Sequence, residues 1–246
     1  CELLRPLAGD RKRSIMTQQL PLSLGLQHLP SLDDFIVGHN QVVIDALQRS
    51  LEGGGEAILY LFGPAGCGRS HLLQGQCALA EKHGLQCAYL GLSDRATLSP
   101  QMLEGLETLD LIAVDDVQLI AGDRVWEAAL FALFNRCHDL GTRMIFSADC
   151  GPAALPIRLP DLRSRLAWGL SLSLRALDDK GRLELLQSLA ARRALKLPDD
   201  VARYLLERTP RHPSDLVATI ARLDQASLAE KRRLTIPFVR DSLQLG

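Results

Sequence analysis

Eight consecutive residues, Gly63-Pro64-Ala65-Gly66-Cys67-Gly68-Arg69-Ser70, have the types and spacing to hold phosphate. Glycines let successive backbone N–H groups turn inward as an anion nest. The N-terminus of a following helix adds its positive end to the same spot. Ser70 stands where a hydroxyl ligates Mg²⁺, and His71 follows it. Arg69 stands where the phosphate-loop pattern places Lys. An apolar strand candidate, residues 57–62, runs into the loop, and a helical pattern over 71–83 leaves it. That context is what the motif requires. The alternative is a Gly-rich turn with no ligand. Cys67 inside the loop reads either as an oxidisable thiol or as a small filler residue.

Leu111-Ile112-Ala113-Val114-Asp115-Asp116 is an apolar strand ending in two carboxylates. In this pattern Asp115 holds Mg²⁺, directly or through water, and Asp116 orients an attacking water. Strands ending in acids are common, so the weight comes from one strand–helix unit separating this one from the phosphate loop. The strand 143–148 ends in Ser147-Ala148, followed by Asp149. Ser147 reads as a contact to the γ-phosphate or the lytic water, or else as the start of a loop with Asp149. The segment Leu162-Arg163-Ser164-Arg165-Leu166 carries two arginines. One reading is an arginine finger that neutralises charge on a transferring phosphoryl group. The other is a pair of solvated surface arginines.

The elements that must position these groups alternate in type. Strands are expected at 57–62, 87–92, 110–115, 143–148 and 169–174. Helices are expected at 71–83, at about 100–108 behind Ser99 and Pro100, and at 123–140 between Asp123 and Gly141. Such alternation predicts an α/β fold, a five-stranded parallel sheet with helices on both faces. Beyond Leu177 only helices are expected. Asp178 caps one to about Ala194, Pro198-Asp199-Asp200 starts one ending near Arg208, Ser214 opens one through Glu230, and Thr235 caps a short last one. The division is an N-terminal extension and tail (1–31), a nucleotide-binding domain (32–176) and a small all-helical lid domain (177–246).

Composition limits the function classes. With 246 residues, 47% hydrophobic, the chain can bury a large core, and no window approaches a membrane span. A net charge of −1 does not suit coating duplex DNA, and 4% aromatic residues do not suit a base-stacking platform. The six Cys form no CxxC pair, which argues against zinc and against a disulfide framework. Residues 1–15, with the cluster Arg11-Lys12-Arg13, read as an extension upstream of a natural start at Met16. The tail Gln19-Leu20-Pro21-Leu22-Ser23-Leu24 offers apolar residues on an extended segment. It suits docking in a pocket of another protein, or packing back on its own domain.

Together these motifs resemble AAA+ ATPases, in particular the DnaA family and its Hda-type regulators. The lead-in Asp34-Phe35-Ile36-Val37-Gly38-His39-Asn40 is similar to the family segment that holds adenine. The phosphate loop, the Asp115-Asp116 pair, Ser147-Ala148-Asp149 and Ser164-Arg165-Leu166-Ala167-Trp168-Gly169 follow in family order. The closing Leu234-Thr235-Ile236-Pro237-Phe238-Val239 is Hda-like. The likeness covers about residues 17–246, and the helix-turn-helix DNA-binding domain of the initiator is expected to be missing.

The resemblance implies bound ADP, or ATP, with Mg²⁺, held by Val37, Gly38 and Asn40 together with the loop and His71. It implies that Gln19, Leu20, Leu22 and Leu24 dock on the β sliding clamp of DNA polymerase III, which gives contact with DNA indirectly. It further implies that Arg165 enters the site of ATP-bound DnaA and triggers hydrolysis there, so that initiation does not recur. Intrinsic ATPase would be weak or absent, and the location cytoplasmic, at the bacterial nucleoid. Self-association stays an open alternative. The lid arginine that usually meets the nucleotide is replaced by Ser214, and Arg211, three residues earlier, is expected to reach the phosphates instead. The competing functions are a DnaA-like or loader-type ATPase and a single-strand DNA binder that loads other proteins.

Overall fold

The computed structural model describes residues 31–94 and 97–244. Five strands form one parallel sheet: β1 (Ile58–Phe62), β2 (Cys87–Gly91), β3 (Leu111–Asp115), β4 (Arg143–Ala148) and β5 (Leu170–Ser173). Their order is β2-β3-β4-β1-β5. β1 is therefore an interior strand between β4 and β5, and its C-terminal end opens at the point where the chain order reverses, the usual ligand position in such sheets.

Alternation along each strand feeds two cores. Leu59, Leu61, Leu111, Ala113 and Ile145 point to one face, under helices α1 (Gln41–Leu51) and α2 (Arg69–Lys82). Tyr60, Ile112, Val114, Met144 and Phe146 point to the other, under α3 (Arg124–Leu140) and α4 (Pro160–Leu166). Burial on both faces is why β1, β3 and β4 read as continuous apolar runs.

The lid has its own core. It packs α5 (Asp179–Arg192), α6 (Asp199–Arg208), α7 (Pro213–Glu230) and α8 (Ile236–Leu243) around Leu186, Leu205, Leu216, Ile220 and Phe238. Asp178 caps α5 by accepting the Gly181 N–H at 2.8 Å. Thr235 caps α8 through the Phe238 N–H.

Three local expectations need correction. The segment 100–108 is two short 3-10 turns, Pro100–Leu103 and Leu106–Thr108, because Gly105 breaks it at φ +84°. The third lid helix is capped by His212 rather than Ser214, which lies inside its first turn. Helices α1 and α4 were not expected at all. Yet α1 buries Val43, Ile44 and Leu47 at helical spacing, and α4 starts on Pro160, a favoured first position.

Candidate nucleotide-binding site

The loop leaves β1 at Phe62 and becomes α2 at Arg69. Gly68 sits at φ +97°, and a Cβ there would come within 2.6 Å of the Phe35 ring. Only glycine satisfies both the backbone and that approach. Gly66, at φ +75°, lies under the lid, where an added Cβ would meet His212 Nε2 at 2.7 Å and Pro213 at 2.9 Å. Pro64 is exposed, and its carbonyl accepts the Cys67 N–H at 3.2 Å. Cys67 is 4% exposed, and burial pushes its thiol pKa up, so it behaves as a filler beneath the loop. Ser70 is exposed at the first turn of α2. His71 Nε2 donates to the Ser31 carbonyl at 2.9 Å, and its ring tilts against Phe35.

Two clefts meet at Gly66. One, of about 140 Å³, is mostly apolar and includes Phe35, Ile36, His71, Leu185, Leu189 and Val217. An ion pair of 2.5 Å between Asp34 and Arg192 joins the lead-in to the lid at its rim. The other, of about 230 Å³, is lined by Ala65, Gly66, Arg182, Arg211 and His212. Arg182 and Arg211 both donate to Asp179 Oδ1, at 2.8 and 3.4 Å. One cleft thus suits a flat apolar base, and the other gathers cations beside the loop. Ser214 has no place among them, since its hydroxyl is bonded to His212 Nδ1 at 2.7 Å.

The lead-in residues divide between the cleft and the frame around it. Val37 packs on the α1/α2 core, and Gly38 makes a turn at φ +51°. The Asn40 side chain binds both backbone groups of Arg175, donating to its carbonyl at 3.0 Å and accepting its N–H at 2.8 Å. Asn40 therefore fastens the lead-in to the segment that enters the lid.

The acids form a compact cluster at the ends of β3 and β4. Asp115 is 2% exposed. It accepts the Ser147 hydroxyl on Oδ1 and the Tyr89 hydroxyl, at 2.7 Å, on Oδ2. Ser147 in turn accepts the Asp116 N–H at 3.1 Å, so one hydroxyl joins both acids. Ser147 thus sits buried at the end of β4 within the acid cluster, whereas Asp149 is exposed. Burial and the Asp115 charge raise the Tyr89 hydroxyl pKa and keep it a donor. Asp116 takes a left-handed conformation, φ +60°, and accepts from Arg69 at 3.0 Å and Gln118 at 2.9 Å. Tyr89 was not anticipated. Its only signal was an aromatic hydroxyl on the strand beside the acids.

The arginine segment is α4 and lies elsewhere. Gly169 abuts Ile58, at the beginning of β1, and β5 then pairs in register from Leu59↔Leu170. The loop lies past the other end of β1, about 16 Å of strand away. Arg163 is exposed. Arg165 is half-buried, its guanidinium 4.8 Å from the ring centre of Trp168, which is itself 54% exposed. Arg165 is thus presented on an aromatic platform, away from this chain's own phosphate loop.

Comparison with known proteins follows the same division. Residues 26–173, more than half the chain, match the bacterial DnaA ATPase domain. The chain belongs to the DnaA family. Residues 179–243 match the Hda lid domain, which makes this DnaA-family member Hda-like and a DnaA-related replication regulator. Its fold is that of domain III of Thermotoga maritima DnaA, with a TM-score of 0.75 at 21% identity over 87% of this chain and 95% of that one. AMPPCP-bound DnaA from Aquifex aeolicus aligns with a TM-score of 0.68 at 25% identity, over 82% and 66%. The RuvB Holliday junction branch migration motor of T. maritima shares the fold, with a TM-score of 0.66 at 18% identity, over 87% and 71%.

Gln19, Leu20, Leu22 and Leu24 lie outside the described residues. Among the described residues no helix is long and apolar enough to cross a membrane.

Proposed function

We propose that this DnaA-family chain holds ADP between loop and lid and, on the DNA-loaded sliding clamp, stimulates ATP hydrolysis by DnaA. The observation that carries the reading is the position of Arg165. The chain that follows it meets β1 at Ile58, the end away from the phosphate loop, and its guanidinium lies against Trp168 and Phe134 rather than among the groups around that loop. It stands beside an exposed Trp, and Trp and Arg are the residues that anchor protein interfaces. An arginine so placed serves a neighbour's phosphoryl group.

Nucleotide then acts as a clasp. The base enters the apolar cleft against Phe35 and His71, and the diphosphate meets the loop amides, with Arg182 and Arg211 approaching from the lid. The residues fit such a group, since Gly68 keeps open a cradle that any Cβ would disturb. Mg²⁺ would be held by Ser70 and, through water, by Asp115, whose two oxygens already accept from Ser147 and Tyr89. Its chemistry there is charge neutralisation between phosphates.

The tail is assigned to the clamp. Replacing Gln19 and Leu20 by Ala should abolish retention on immobilised clamp. Retention equal to wild type would assign the tail to the protein's own fold. DnaA turnover on clamp-loaded DNA should rise on adding the wild-type chain, and no rise would contradict the regulator role.

A further inference from the structure

Arg69 bridges two sides of the site. Its Nη1 donates to the Gly63 carbonyl at the start of the loop, and its Nη2 donates to Asp116 Oδ1 at 3.0 Å. Both side chains are largely withdrawn from water, 12% and 21% exposed. Gln118 Nε2 adds a second donor to the same carboxylate oxygen. Arg69 Nε is buried without a hydrogen-bond partner. This bridge suits Arg and not Lys. A planar fork carries donors on separate nitrogens, whereas an ammonium offers all three from one point on a shorter stem.

In phosphate loops the residue at this position reaches the β- and γ-phosphates. The acid at the Asp116 position orients water against the γ-phosphate. The Arg69–Asp116 pair therefore lies across the ground that a third phosphate needs. A triphosphate has to draw Arg69 away from Asp116. Removing one partner of a mostly buried pair leaves an uncompensated charge, which is costly. The charge left behind is a carboxylate, of the same sign as the incoming γ-phosphate. A diphosphate requires neither change.

We propose that the Arg69–Asp116 pair makes this site select nucleoside diphosphates over triphosphates, with Asp116 as the discriminating residue. The inference rests on the nucleotide-binding reading above. It gives that reading a physical cause for preferring ADP, and it turns a carboxylate of hydrolytic type into a selectivity group.

The test is competition binding of ADP and ATP, each with Mg²⁺, to the full chain and two variants. Wild type should bind ADP more tightly than ATP by about tenfold or more. Asp116→Asn keeps the shape and removes the charge. Its ATP affinity should rise until the ratio falls to about threefold or less. Arg69→Lys, which cannot span both partners, should lower the ratio in the same way, and it decides the matter if Asp116→Asn fails to fold in a thermal melt. Equal wild-type affinities, or a tenfold ratio kept in the folded variants, would overturn the selectivity while leaving the nucleotide site standing. Failure of wild type to bind either nucleotide would overturn the site itself, and the selectivity with it.

Discussion

Glu127 of α3 accepts the Leu159 N–H at 2.8 Å, and this bond fixes the approach to the helix that carries Arg165. Glu127 is 1% exposed. Its carboxylate also accepts the N–H groups of Gly122 at 2.7 Å and Arg158 at 3.1 Å, and no cation pairs with it among the described residues. One buried side chain thus ties the loop after the acids to the segment entering α4. The N–H groups of Gly122, Arg158 and Leu159 all converge on this one carboxylate.

Removing that carboxylate should be expensive. Glu127→Ala leaves three backbone donors without their acceptor and should cost roughly 2–4 kcal/mol in urea unfolding. Glu127→Gln keeps one acceptor oxygen and should cost less than Glu127→Ala. Equal stability of wild type and the Ala variant would mean that water or a rearranged loop replaces the carboxylate.

Gly68 is the most constrained loop position. Gly68→Ala meets both the left-handed backbone and the Phe35 ring, at a cost of roughly 1–2 kcal/mol in stability. Because the shift falls on the cradle, ADP affinity should drop by about tenfold or more. Calorimetric titration reads this directly. Unchanged affinity would place the ligand away from the loop.

Lid stability should depend on pH through Asp178. The Gly181 N–H lowers the pKa of its carboxyl below the ordinary 3.8, slight desolvation opposes, and His39 lowers it further. The folded value then lies below the unfolded one. The carboxylate's contribution is present above the unfolded pKa and is lost as pH falls through the folded pKa. Thermal unfolding of wild type and Asp178→Ala should differ near neutral pH and converge only once pH has fallen below the folded pKa, which itself lies under 3.8. A gap that persists in strong acid would show that shape, not charge, caps α5.

The parts of the site legible in the sequence were those whose signal is local. Three glycines in six residues and two acids at a strand end need no tertiary information, and Gly63–Ser70 and Asp115–Asp116 took their expected places. Tyr89 was hidden because its partner, Asp115, is reached only by strand pairing, with Tyr89 opposite Ala113 and Gly91 opposite Asp115. Asp34 and Arg192 are distant in sequence and meet only in the folded chain, where the lid packs beside the lead-in. α4 has seven residues, too few for helical periodicity to separate it from a loop. At 100–108 the signals Ser99 and Pro100 outweighed Gly105, which in fact ends the first turn. His212 lies immediately before Pro213, a favoured first helical position, and so displaced Ser214 as the cap.

The central claim is that Arg165 acts on a partner's nucleotide. Its most direct test is single-turnover ATP hydrolysis by DnaA on clamp-loaded DNA, comparing wild type with Arg165→Ala at matched clamp occupancy. A finger contributes about 10³-fold or more to phosphoryl transfer. The account predicts that Arg165→Ala leaves clamp binding intact and returns DnaA hydrolysis to its unstimulated rate. Stimulation equal to wild type would contradict it and direct attention to Arg163, the exposed arginine on the same helix.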